Sequence, residues 1–368
     1  MEVFSREDVE RGRRYHRPRY VAMVAEFALT LATLALLAFT GLGDALLPNW
    51  SWWAQALVYP PIVLAVLELV RLPLAFWRGH LHERRWELST QDARGWAVDR
   101  AKAFAVSTVI STVLFFGLLA LARWTGAWPL LAAPLAGAVI VFLIFVAPVV
   151  LEPIFNKFEP LADQELADDL RALAERAGVP VRDVLVADES RRTNKENAYV
   201  SGFGATRRVV LYDTLLERSG PAELRAVLAH ELGHRRHRDV LNFSIMGVAA
   251  AMGLVFVLWL VLGEDARDPR SVALILFVLT LAQPVLLVLL AAISRRWEYR
   301  ADKFALLLTR DLGALERTFR RLVSSNVSDL EPPRVVYWLR YTHPTTPQRI
   351  AALRETARVE GLEPEEAL

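Results

Sequence analysis

The chain has 368 residues, 54% of them hydrophobic and 23% charged, with a formal net charge of +2 and no cysteine. Soluble domains average ~45–50% apolar residues, so this composition, with a mean hydropathy of +0.27, points to the membrane. The missing cysteines exclude disulfides, thiolate metal sites and cysteine nucleophiles, and the small net charge offers no field that would attract nucleic acid.

A helix needs roughly 20 apolar residues to cross a bilayer. Six stretches qualify, at about 20–42, 54–76, 103–122, 128–150, 240–263 and 271–293. The first exceeds the ~7–15 residues of a signal-peptide core and contains Glu26, so it reads as an uncleaved span. The N-terminal arm SREDVERGRRYHRPRY and the loop RGHLHERRWELSTQDARGWAVDRAK are basic, whereas GDALLPNWSWW, RWTGAW and GEDARDPR carry few positive charges. Positive flanks favour the cytoplasm. The N-terminus, the 78–102 loop, the 151–239 segment and the C-terminal tail are therefore expected there, and Trp50, Trp52, Trp53, Trp124 and Trp128 in the opposite interfacial belt. Residues 11–19 are expected to contact anionic lipid. His16, His80 and His82 are expected to be solvated, Glu26 and Glu68 to reach the interface, and Pro284 to bend the sixth span.

Between the fourth and fifth spans, DQELADDLRALAERAGV has a helical pattern, VRDVLVAD reads as a strand, and NAYVSGFGATRRVVLYD reads as two strands around a Gly-containing turn. Ser219, Gly220 and Pro221 start a helix, PAELRAVLAHELGHRRHRD, expected to run on into the fifth span. RRWEYRADKFALLLTRDL continues the sixth span, and a last helix is expected to be capped by Thr346 and started by Pro347. The fold class is mainly α, a multi-span membrane protein with a small β-sheet. Its divisions are 1–150 with four spans, 151–239 soluble, 240–293 a two-span hairpin, and 294–368 soluble.

His230-Glu231-Leu232-Gly233-His234 fits H-E-x-x-H. Residues i and i+4 share a helix face, so both imidazoles can reach one metal ion, and Glu231 beside them can take a proton from water that the metal acidifies. With seven histidines in the chain, chance produces such a match in about one chain per hundred. A catalytic zinc takes three protein ligands and leaves a position open. His237 cannot join His230, because seven residues of helix rise ~10.5 Å. A site of His234 and His237 alone would leave Glu231 without a task. The better third ligand is Glu298, in SRRWEYRAD, with Asp302 four residues on to orient a ligating imidazole. The fifth and sixth spans form a hairpin, which brings the residues before and after it to one side of the membrane.

In chain order, LPLAFWRGHLHERRWELSTQ, LEPIFNKFEPLADQEL, NAYVSGFGATRRVVLYDTLL, AHELGHRRHRD, SRRWEYRADKFA and HPTTPQRI resemble the type 1 CAAX prenyl protease family, integral-membrane zinc endopeptidases of the gluzincin type. The resemblance implies a ring of transmembrane helices around a water-filled chamber. It implies one zinc ion held by His230, His234 and Glu298, with Glu231 as general base. Asn197, Ala198 and Tyr199 match the family's strand beside the cleft, where substrate can add as a further strand. His343 and Arg349 match its tail motif, and one of them is expected to stabilise the oxyanion. The expected partners are a peptide or protein substrate, membrane-associated or lipidated, and the lipid bilayer. The expected location is a bacterial inner membrane. Two departures stand out: eukaryotic members have seven spans where six are counted here, and nothing in the sequence marks a lipid site. A transporter would need paired charges at mid-bilayer, and a closed structural zinc site has no need of Glu231.

Overall fold

A computed structural model describes residues 4–47 and 49–362, so Pro48 of the loop GDALLPNWSWW lies outside the described residues. Among the described residues, six helices are long and apolar enough to cross a membrane. The helices are α1 (Arg6–Phe39), α2 (Trp52–Phe76), α3 (Ala93–Trp124), α4 (Trp128–Val146), then, after the soluble segment, α7 (Asp239–Leu262) and α8 (Ser271–Thr309). In the soluble segment lie β1 (Phe158–Pro160), α5 (Gln164–Arg176), β2 (Asp183–Ala187), β3 (Ala198–Ser201), β4 (Arg208–Tyr212) and α6 (Pro221–Arg236). The tail holds α9 (Leu312–Asn326), α10 (Arg334–Arg340) and α11 (Thr346–Glu360).

Each span packs on the next, α1 on α2, α2 on α3, α3 on α4, α4 on α7, α7 on α8, and α8 returns to α1, which closes a ring. The span helices overrun their apolar stretches. α1 begins at Arg6 because Ser5 and Asp8 form a reciprocal capping box. Two of its basic residues are engaged within the protein: Arg11 donates to the Ser324 carbonyl at 3.2 Å and Arg13 pairs with Glu331 at 3.2 Å. A Cβ on Gly12 would sit 2.4 Å from the Ser328 carbonyl oxygen, so glycine permits this close crossing.

The flank histidines are not solvated. His80 and His82 are buried, His82 stacks on Tyr15 at 5.1 Å, and the His16 Nε2 lies 2.9 Å from the Val327 carbonyl. Tyr15 and Trp77 pack on His82, and Phe76 and Trp96 on His80. Glu26 and Glu68 are partly buried and paired, Glu26 with Arg78 at 3.0 Å and Glu68 with Arg100 at 2.5 and 2.8 Å. Trp50, Trp53 and Trp124 are exposed, whereas Trp128 is buried among the spans.

The sheet order is β1-β2-β4-β3, with β2 and β4 parallel and the other pairs antiparallel. β1 carries no sequence signal because it is only three residues long and half exposed. β3 is an edge strand, joined to β4 through a turn where Gly202 has φ +78°. The core between sheet and helices includes Leu170, Leu173, Leu211, Leu228 and Leu306, all fully buried. Each contributes about 1.5–3 kcal/mol.

Two boundaries differ from expectation. α6 does not run on into the fifth span: Arg238 adopts φ 59°, a left-handed residue that ends one helix and starts the next. Thr345, not Thr346, caps α11, in a capping box with Gln348.

Candidate metal centre

α6 carries His230, Glu231 and His234, and α8 carries Glu298 and Asp302. The helices meet where both residues are small: a Cβ on Gly233 would lie 3.0 Å from the Ala301 Cα. That contact draws Glu298 up to the two imidazoles. The Nε2 atoms of His230 and His234 lie 3.1 Å apart, and Glu298 carboxylate oxygens lie 3.4 Å from the first and 3.2 Å from the second. Donors on one tetrahedral zinc, at ~2.0–2.1 Å bonds, sit roughly 3.3 Å from one another. Glu298 is buried with its Oε2 turned to the imidazoles of His230 and His343, and a carboxylate set beside two imidazole nitrogens is a donor set that binds divalent cations. The donor set therefore fits a divalent metal, and among the described residues His230, His234 and Glu298 are the one cluster with metal-ligand spacing.

The outward nitrogens are held as well. His230 Nδ1 donates to Asp302 at 2.9 Å, and His234 Nδ1 to Asp239 at 2.9 Å. Asp239 opens α7, and the left-handed Arg238 turns the chain so that its carboxylate faces back to α6. The sequence reading passed over Asp239, although it closes the string AHELGHRRHRD; the break in the helix that aims it has no Gly or Pro to announce it. Arg300 pairs with the other side of Asp239.

Burial and the Arg349 charge oppose a proton on His230, but hydrogen bonds to Asp302 and Glu298 overcome both and push its pKa up to about 10. His234 is raised too, because its bonds to Asp239 and Glu298 outweigh burial. A cage that stabilises a proton this strongly is built for positive charge, which a metal ion supplies in its place.

The tail brings the remaining candidates. Arg349 forms a two-pronged pair with Asp302 at 2.6 and 2.8 Å and lies over Phe319 at 4.4 Å. Burial lowers its pKa, and the Asp302 carboxylate more than reverses this. His343 is more than half exposed, with its Nδ1 2.7 Å from Glu298 Oε2. Glu231 has no hydrogen bond or ion pair among the described residues. Together with His230, Asn197, Ala198, Phe319 and His343 it lines a cavity of about 180 Å³. Tyr199, next along the strand, lines a different cleft of about 430 Å³ between α4 and α7. His237 is turned away, its Nδ1 2.8 Å from the Gly233 carbonyl and its ring against Phe304.

The Val200 carbonyl accepts from Arg235, so it points off the free edge of β3. Tyr212 N–H donates to the Asn197 carbonyl at 3.0 Å on the paired side. By this alternation the Ala198 backbone groups also face outward.

A ring of spans that presents an H-E-x-x-H helix, a carboxylate from the next hairpin limb and an open strand beside them defines a membrane metalloendopeptidase. Comparison with known proteins agrees. Residues 160–357 match the profile of Peptidase family M48, and residues 1–157 match the CAAX prenyl protease N-terminal profile, described as five membrane helices; α1–α4 are the four span-length helices described there. The chain is 31% identical to the uncharacterized metalloprotease YhfN of Bacillus subtilis, over 78% of this chain and 71% of that one. It is 27% identical to CAAX prenyl protease 1 of Saccharomyces cerevisiae, over 82% and 72%. The crystal structure of S. mikatae Ste24p superposes with a TM-score of 0.77 at 23% identity, covering 96% of this chain and 90% of that one. The chain belongs to peptidase family M48. It is an integral membrane metalloprotease that acts on peptides or proteins.

Proposed function

We propose that the protein binds one zinc ion through His230, His234 and Glu298 and hydrolyses peptide bonds of membrane-associated proteins on the cytoplasmic face of a bacterial inner membrane. The observation that carries this is the convergence of two Nε2 atoms and a buried carboxylate at tetrahedral separations. When bound, zinc supplies Lewis acidity toward the scissile carbonyl and toward water. Asp302 and Asp239 fix the imidazole tautomers and orientations. Glu231, free of other partners, takes a proton from the attacking water and returns it to the departing amine nitrogen, as the new C–O bond forms and the C–N bond breaks.

Of the two tail residues, His343 suits the oxyanion, being exposed at the cavity. Arg349 is committed to Asp302 and acts as a positioning residue. The outward backbone of Ala198 receives the substrate as an added strand, flanked by Asn197 on the cavity side and Tyr199 on the other.

The basic flanks support the cytoplasmic orientation. The resemblance to CAAX proteases supports substrates whose cleaved segment lies near the bilayer, lipidated substrates among them. The test compares peptides released from membranes carrying wild type and Glu231→Gln. Peptides that appear only with wild type name the substrate; equal release from a metal-loaded variant overturns the assignment of Glu231.

A further inference from the structure

The base of the ring carries a second built cavity, remote in function from the metal centre. It encloses about 690 Å³ and is lined by Arg14, Pro18, Trp77, Leu81, His82, Arg85 and Trp86. That volume is typical of small-molecule sites. Arg14 and Arg85 are exposed and have no ion pair or hydrogen bond among the described residues. Trp77–Leu81 is a wide helical turn directly after α2, and Arg14 and Pro18 directly precede the apolar stretch of α1. The cavity thus sits where the apolar stretches of both helices end, the level at which lipid headgroups are expected. Two unpaired guanidiniums stand over a wall of two indoles, a leucine and a proline.

We propose that this cavity binds one anionic phospholipid. Its phosphate pairs with Arg14 and Arg85, and an acyl chain lies along Trp77, Leu81 and Trp86 into the membrane. Arginine matches phosphate with paired N–H donors, and tryptophan is favoured at the interface. The lining favours an amphiphile over a peptide: two exposed arginines beside two tryptophans, a leucine and a proline, and no carboxylate among the lining residues. Beneath the cavity, Tyr15 stacks on His82 and donates to Glu83 at 2.5 Å, and Glu83 pairs at 2.7 Å with Lys195, two residues before Asn197. A lipid here braces the strut under the edge strand.

Native mass spectrometry of the full chain, released from nanodiscs, tests this by counting phosphatidylglycerol retained. Wild type should keep one anionic lipid in preference to phosphatidylcholine. Each arginine at a headgroup layer strengthens binding about fivefold, so Arg14→Gln with Arg85→Gln should weaken retention roughly 25–30-fold. The control Arg94→Gln with Lys102→Gln removes the same charge from α3 and should change little. Both arginines of the test pair are exposed and unpartnered, and unchanged peptide cleavage in detergent will show that the fold survives. Equal loss in both double variants, or equal retention of phosphatidylcholine, overturns the site. So does displacement by inorganic phosphate or by glycerophosphoglycerol as readily as by a short-chain phosphatidylglycerol, because the apolar wall would then contribute nothing.

Discussion

Asp302 and Asp239 each hold one imidazole of the metal cage, yet their removal should cost very different amounts. Asp302→Ala frees His230 and strips Arg349 of its two-pronged partner. The Arg349 side chain is only 14% exposed, so its charge is left buried beside Phe319. Breaking a buried pair in this way destabilises by about 3–5 kcal/mol. Asp239→Ala frees His234 and Arg300, but the Arg300 side chain is 40% exposed and water can take over. The loss of that pair should be no more than about 1 kcal/mol. Both variants should bind zinc about 10–100-fold more weakly, because each loses the carboxylate that orients a ligand.

The assay has two arms. Zinc affinity is read by competition with a chromogenic chelator, and stability by thermal unfolding of the metal-free protein in detergent. Asp302→Ala should fail in both arms, and Asp239→Ala chiefly in the first. Equal loss of melting temperature in the two metal-free variants would refute the argument from burial. Wild-type zinc affinity in Asp239→Ala would remove Asp239 from the site altogether.

Other outcomes are expected on the same grounds. Glu231→Gln should keep fold and metal and lose about 10²–10⁴-fold in kcat, read with a fluorogenic peptide; a loss of zinc instead would mean that Glu231 is a ligand. His343→Ala should lower kcat about 10²–10³-fold with KM little changed, whereas Arg349→Ala should also lower the melting temperature. Ala198→Pro removes an outward N–H from an edge strand, a position where proline is tolerated. One lost hydrogen bond of about 1 kcal/mol should raise KM roughly fivefold, and an unchanged KM would place the substrate elsewhere.

Metal affinity should rise with pH. The metal-free His230 holds its proton up to about pH 10, so zinc must displace it, and apparent affinity climbs about tenfold per unit between pH 7 and 9. The same raised pKa stabilises the metal-free fold fully below the unfolded value near ~6.5, and this contribution fades as pH rises through about 10. A pH-independent zinc titration over that range would contradict the bonding drawn around His230.

The membrane ring and the placement of Glu298 were legible because both follow from coarse signals: apolar length, and the geometry of a hairpin returning its limbs to one side. The strand pair around Gly202 was legible through alternation and a turn residue. What failed was context. His80 and His82 stand in a run of charges that reads as solvated, but Phe76 and Trp96 pack on His80, and Tyr15 and Trp77 on His82. Arg238 carries no local preference for a left-handed turn, so the break that aims Asp239 at His234 had no mark in the chain. The arginine partners of Glu26 and Glu68, Arg78 and Arg100, are likewise set by how the helices sit side by side.

The hairpin that completes the centre also orders events in time. His230, Glu231 and His234 precede the fifth span, whereas Glu298, Asp302, His343 and Arg349 follow the sixth. A chain emerging from the ribosome therefore exposes its histidine pair while one ligand, one of the two orienting carboxylates and both tail residues are still unmade. Closure of the ring, α8 against α1, must await the same stretch. Proteolytic competence thus arrives only after the sixth described span and the segment that follows it have been made. A truncated product, stalled or clipped before the sixth span, is left with two imidazoles and no working hydrolase.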